Sequence, residues 1–188
     1  MTLEEVRGKI DAIDPQIKGL LMQRLDCSLE VAKVKAAAGE TNIYRADREE
    51  AILDRLGEGV PEDRKAGYLA VVRKIMEASR MYQYGLLYDW MDDLFAPLAE
   101  GITIKENGTR VRVRLTRENR PNAMSSILSM IGDYGYNMDR MELIEDNKET
   151  NTVTFELLIL GNLSEKHMKT LMFQLSRESM DFRILENE

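Results

Sequence analysis

The sequence is poor in the residues on which metal and covalent chemistry depend. It holds one cysteine, Cys27, and one histidine, His167. A lone cysteine can close no internal disulfide and supply no cysteine cluster, and it suits a reducing cytosol. One Cys and one His leave no ligand set for structural zinc or an iron–sulfur centre, and no Ser-His or Cys-His triad away from His167. The reading is therefore of a protein without metal or cofactor. Long apolar runs are also missing, since none approaches the ~18 residues of a transmembrane helix. The first residues, Met1-Thr2-Leu3-Glu4-Glu5, are acidic and helix-like rather than a signal peptide. A cytoplasmic protein with no membrane partner is expected. Positive charge is short as well: 26 Lys and Arg stand against 33 Asp and Glu, a net charge of −7. That balance argues against nucleic acid as a partner. A site for an acidic small molecule must then be a local cationic pocket, because cations are unfavourable to bury without an anion or neighbouring carboxylates.

What is present divides in two. The 188 residues, 44% hydrophobic and 31% charged, fit one or two globular domains. From Leu3 to about residue 38, apolar residues recur at three- and four-residue steps (Leu3, Val6, Ile10, Ile13, Ile17, Leu20), predicting one long helix. Pro15 should bend or break it near Asp14, and Gly39 should stop it. A short second helix is expected from Asp47, whose Asp-Arg-Glu-Glu run has the form of a capping box, to Gly57 or Gly59. Pro61 opens a third, to about Phe95. A first helix spanning roughly 50 Å is too long for a three-helix monomer to cover, so its apolar stripe predicts an intertwined all-helical homodimer.

After Phe95 the pattern changes. Pro97, Gly101 and Lys105-Glu106-Asn107-Gly108 read as a linker, and from Arg110 the period becomes two, with Val111, Val113 and Leu115 alternating with Arg110, Arg112 and Arg114. A helix over 121–134, strands over 137–145 and 152–160, a helix over 164–177 and a strand over 181–185 complete the order βαββαβ, a ferredoxin-like α+β arrangement. The expected organisation is a helical domain over 1–95, a linker over 96–109 and a ferredoxin-like domain over 110–188. The three arginines form a cationic strip, explained best by alternation on a half-exposed strand with carboxylates on its neighbours. Cys27 is expected to pack as a small residue and His167 to lie at the surface.

The cations of the first helix set a geometric condition. Arg24 and Lys35 are eleven residues apart, which at roughly 100° per residue puts them within about 20° on one helix face. Arg7 lies about 100° off that face and roughly 25 Å away along the axis. Arg24 and Lys35 can converge on one small anion, whereas Arg7 could join them only from a second copy of the chain. Arg48 and Glu49 open the second helix, and Ser79 and Gln83 share a face of the third. This set has no obvious nucleophile and suits a polyanionic substrate whose reaction is driven by orientation and charge stabilisation.

Residues 3–90 resemble the all-α chorismate mutases of the kind fused to prephenate dehydratase. The resemblance rests on Leu3-Glu4-Glu5-Val6-Arg7-Gly8-Lys9-Ile10-Asp11-Ala12-Ile13-Asp14, Leu20-Leu21-Met22-Gln23-Arg24, Val31-Ala32-Lys33-Val34-Lys35, Asp47-Arg48-Glu49 and Ser79-Arg80-Met81-Tyr82-Gln83. It implies the intramolecular [3,3] rearrangement of chorismate to prephenate in aromatic amino acid synthesis. It also implies roles: Arg24 and the partner subunit's Arg7 on the substrate carboxylates, Lys35 and Gln83 donating to the ether oxygen, and Glu49 accepting from the ring hydroxyl. Arg48 and Ser79 would support substrate binding. The chain departs from the pattern at Arg45, where the bifunctional bacterial enzymes carry an acidic residue, and this adds a cation close to the pocket.

Residues 110–187 resemble an ACT domain, a small regulatory module that often binds amino acids. Arg120-Pro121-Asn122-Ala123-Met124 and Ile131-Gly132-Asp133-Tyr134-Gly135-Tyr136-Asn137-Met138 carry the resemblance, which implies an aromatic amino acid as effector near Asn122, Ala123 and Met124. There is no room for a dehydratase between the two parts. The competing reading is a non-catalytic allosteric sensor or interaction subunit, with a nucleic-acid-binding regulator a distant third.

Overall fold

In the computed structural model, which describes residues 1–188, Thr2 starts the first helix. Its hydroxyl accepts from the Glu5 amide at 3.2 Å while its own amide donates to Glu5 Oε2 at 2.8 Å, a reciprocal capping box. Helix α1, Leu3–Ala37, runs on through Pro15, where a bend or break was expected, without interruption. Proline removes one donor from the helix interior. The carbonyl left without it, that of Asp11, lies on an exposed stretch open to water, and Gln16 Nε2 adds a bond to the neighbouring Ala12 carbonyl at 3.0 Å. The C-terminus forms where Gly39 was expected to stop it. Gly39 takes φ +67°, its amide bonds Ala36 O at 3.0 Å, and Glu40 N bonds Lys35 O at 2.9 Å, the paired bonds of a Schellman motif.

Helix α2, Ala46–Gly57, begins one residue before the expected Asp47. The capping box read at Asp47 does not form: Arg45 is the N-cap residue, no side chain caps the helix, and Asp47 turns back to Arg45. Helix α3, Glu62–Trp90, follows Pro61 and ends short of Phe95.

The second half has the expected ferredoxin-like order: β1 Arg110–Glu118, α4 Ala123–Asp133, β2 Asn137–Asn147, β3 Thr152–Leu160, α5 Lys166–Glu178 and β4 Asp181–Asn187. The strands form one antiparallel sheet in the order β2-β3-β1-β4. Alternation does what it predicts. Val111, Val113 and Leu115 are buried with Leu157 and Ile159 of β3, beneath Ile127 and Ile131 of α4 and Leu171 and Met172 of α5. On the other face the arginines meet carboxylates: Arg110 with Asp139 at 3.6 Å, Arg112 with Glu188 at 2.8 Å, and Arg114 Nε with Glu156 at 3.0 Å. The hairpin turn falls over 148–151, two residues later than the earlier strand end suggested, because Asn147 Oδ1 accepts from the amides of Glu149 and Thr150. Strand β2, at one sheet edge, is irregular against β3 at Asp139 and Ile144.

The chain divides into two compact units, one of residues 1–40 and 45–86, the other of residues 41–44 and 87–188. The division runs through α3. Tyr88 lies 6.2 Å from Phe173, ring to ring, and Phe95 enters the core of the second unit. Segment 96–109, read as a linker, sends Leu98, Ala99 and Ile102 against that same core.

Candidate active site

The site residues of the first unit are ordered by small side chains. On α1, Ser28 and Ala32 are buried at four-residue steps after Arg24, with Lys35 three further on. On α3 the buried positions Val72, Met76, Ser79, Arg80, Gln83 and Tyr84 follow the same three- and four-residue rhythm. Arg24 reaches across to α3, where its Nη1 donates to Ser79 Oγ and, at 3.4 Å, to the Ile75 carbonyl. Ser28 Oγ donates to the Arg24 carbonyl at 3.1 Å, one turn back. Gln83 Nε2 donates to the Ser79 carbonyl at 3.1 Å. Its Oε1 is buried with no hydrogen-bond partner, a situation that costs about 1–3 kcal/mol unless a donor arrives. An amide nitrogen carries two hydrogens, so one N–H of Gln83 remains beyond the bond to Ser79. The structure thus joins three of the expected site residues, Arg24, Ser79 and Gln83.

Two others are held by partners that the sequence reading did not name. Lys35 Nζ lies 2.5 Å from Glu40 Oε1. The Schellman turn folds Glu40 back over the last helical turn, and so brings this carboxylate to Lys35. Glu49, in the first turn of α2, accepts from Arg80 Nη1 of α3. Arg80 is only 6% exposed. It escaped attention because apolar periodicity counts Val72 and Met76 and passes over the charged residue that follows them on the same face. A cation at the third of three positions spaced by four residues, 72, 76 and 80, is the signal that could have found it.

The remaining expected residues lie apart. Arg7 and Arg48 are exposed, and neither side chain makes a hydrogen bond or ion pair within the chain. Arg45, read as an extra cation close to the pocket, is exposed and bound by Asp47 at 2.7 Å. That hydrogen bond holds the Asp47 carboxyl below the usual carboxylate range and raises Arg45 further. Cys27, expected to pack, is exposed; His167 is exposed, as read.

In the second unit, Asn122 is the N-cap of α4 and takes φ +67°. Asparagine is among the few residues besides glycine that tolerate this region. Ala123 is buried and Met124 packs against the core, so of the three expected effector-contact residues only Asn122 is exposed. Beside them, Arg120 donates to the hydroxyl of Tyr44. A shallow depression on the open sheet face is lined by Arg112, Arg140, Glu142 and Glu156 with Leu157 and Leu158; its arginines are paired to carboxylates, and it lies outside the helical unit.

No group of His, Cys, Asp and Glu side chains could hold a metal ion, and no helix is long and apolar enough to cross a membrane.

Comparison with known proteins bears on the helical unit most directly. Residues 6–84 match the family model of chorismate mutase type II. No curated protein matches the chain. Among solved structures the chain is similar to the prephenate dehydratase of Arthrobacter aurescens in complex with L-Phe. That likeness has 19% identity and a TM-score of 0.41 and covers 47% of this chain and 30% of that one. It is also similar to GqqA, described as a novel type of quorum-quenching acylase (20% identity, TM-score 0.41, 45% of this chain and 44% of that one). A third is a homoserine dehydrogenase from Thiobacillus denitrificans (18% identity, TM-score 0.33, 69% and 30%). The chain spans less than a third of the length of the prephenate dehydratase. Arg24, Ser79 and Gln83 thus come together inside residues 6–84, the part of the chain that matches the chorismate mutase type II family model.

Proposed function

We propose that this protein is a chorismate mutase, rearranging chorismate to prephenate in the cytoplasm as a homodimer under control of its C-terminal unit. The observation that carries the reading is the joining of Arg24, Ser79 and Gln83, inside the matched residues, into a site with a buried acceptor awaiting a donor. A [3,3] rearrangement breaks a C–O bond and forms a C–C bond within one molecule, so the protein needs neither nucleophile nor proton transfer. It has to hold the reacting ends together and stabilise charge on the departing ether oxygen. Arg24, held by Ser79, would bind one substrate carboxylate, with bidentate pairing favouring arginine. Lys35 would move from Glu40 to the ether oxygen. The Lys35 side chain is 18% exposed and that of Glu40 55%, so the exchange would return the carboxylate to water while the ammonium keeps an anionic partner. The second N–H of Gln83 would donate to the same oxygen, Glu49 would accept from the ring hydroxyl, and Arg48 would bind at the rim.

Arg7 enters only from a second copy. Dimerisation is supported by α1, whose Leu3, Ile10, Ile13, Ile17, Leu20 and Val34 are exposed along one chain. For the C-terminal unit we infer an aromatic amino acid as effector, on the ACT-like order of its elements and the Asn122 turn. Following chorismate loss with purified protein tests the reaction, with Arg24→Ala and Lys35→Ala as controls. Each is expected to lose roughly 10²–10³-fold in kcat, as removal of an oriented donor does. A parent with no turnover above the uncatalysed rate would sink the enzyme and leave the sensor reading. Mixed Arg7→Ala and Arg24→Ala chains should regain activity through one intact site per hybrid dimer. Melting temperatures with phenylalanine, tyrosine and tryptophan test the effector.

A further inference from the structure

Arg80 carries a charge on the inward face of α3, behind Val72 and Met76 and beside the fully buried Tyr84. A guanidinium in such surroundings is costly unless a carboxylate meets it, and removing one partner of a buried pair leaves the other uncompensated. The carboxylate is Glu49, whose side chain is 23% exposed while that of Arg80 is 7% exposed. A second observation concerns the start of α2. This helix has no side-chain cap, and Asp47, the residue best suited to cap it, is turned to Arg45. The first turn of α2 is thus fastened to α3 through Glu49 and Arg80 rather than closed on itself. Ser79 and Gln83, on either side of Arg80 in sequence, are buried with it on α3.

We propose that Arg80 is a positioning residue for the rearrangement: it holds the Glu49 carboxylate against α3, in the orientation from which Glu49 accepts the substrate's ring hydroxyl. The inference rests on the chorismate mutase reading. Arg80 does not touch substrate; it acts through Glu49. Misplacing one group by about 1 Å can cost 10²-fold in rate, so Arg80→Met, which keeps the length and removes the charge, should lower kcat by about 10–100-fold. Arg80→Lys should recover at least about tenfold of that loss, since an ammonium can still meet the carboxylate.

The decisive experiment is a kinetic cycle of Arg80→Met and Glu49→Gln on chorismate and on an analogue lacking the ring hydroxyl, with melting temperatures of every variant. On chorismate the two substitutions should be non-additive, the second costing less than about threefold. On the analogue, Arg80→Met should cost less than about threefold by itself. Additive losses, or equal losses on both substrates, would mean that Arg80 merely supports the fold, and the proposal would be overturned. Should Arg80→Met fail to fold, the same cycle with Arg80→Gln, which removes the charge but keeps a polar side chain, decides, with the same outcomes. The parent assay separates the two readings: a parent without turnover overturns the reaction and this role together, whereas an active parent with additive variants overturns the role alone.

Discussion

Along β1 of the second unit, Val111, Val113 and Leu115 are fully buried, whereas along α1 of the first unit Ile10, Ile13, Ile17 and Leu20 stay between 48% and 66% exposed. Both stretches are regular and apolar on one side. A sheet with two helices laid on one face forms a layered core inside one chain. A helix of 35 residues, roughly 50 Å long, outruns what α2 and the first part of α3 can cover. The second unit is therefore complete as a single copy, and the first has an apolar side still to be covered.

The largest effect should come from charging that side. In a lone chain Ile13→Asp and Ile17→Asp would change stability within about 0.5 kcal/mol, as exposed substitutions do. If a second copy covers α1, the double variant should become monomeric in analytical ultracentrifugation and lose turnover; a variant that stays dimeric would break the comparison. Next is Leu157→Ala in the sheet core. It should cost about 2–5 kcal/mol in chemical denaturation and leave the assembly of the helical unit intact. A smaller effect, about 1–2 kcal/mol, is expected for Gly39→Ala, because its φ of +67° penalises a side chain. That substitution should also free Glu40 from Lys35, seen as a changed KM for chorismate. The smallest concerns Tyr136, whose hydroxyl donates to Glu165 Oε2 at 2.8 Å. Burial, with that carboxylate, pushes its ionisation well above the ordinary tyrosine value. Its contribution is complete below about pH 10 and declines as pH rises from there through the folded value. Tyr136→Phe should remove this alkaline component from the stability profile of the second unit.

Much of this was legible in the residues. The period of two from Arg110 placed β1, and the same alternation placed its arginines opposite the carboxylates that pair with them. The eleven-residue spacing put Arg24 and Lys35 on one helix face. What escaped the sequence depended on choices between near-equal local partners. Asp47 could cap α2 or bind Arg45, and only the folded chain reveals the second. Pro15 should interrupt a helix, but an exposed carbonyl without its donor is satisfied by water. The division of α3 after Leu86 left no trace, because Leu87 and Tyr88 continue the helical pattern while packing elsewhere. Arg80 was missed for a related reason: a pattern search for apolar residues is blind to a charge whose partner comes from another helix.

Strand β2 forms an outer edge of the sheet, and it is the strand that carries Met141, Leu143 and Ile144 into solvent. An exposed edge of this kind can act as a template for another extended chain. The irregularities at Asp139 and Ile144 shift its pairing register twice, and each bulge twists and bends the strand locally. A foreign strand could follow this edge for only a few residues before its donors and acceptors fell out of step. The two extra residues that disturb the sheet thus shorten the stretch of edge open to such pairing, beside the exposed Met141, Leu143 and Ile144.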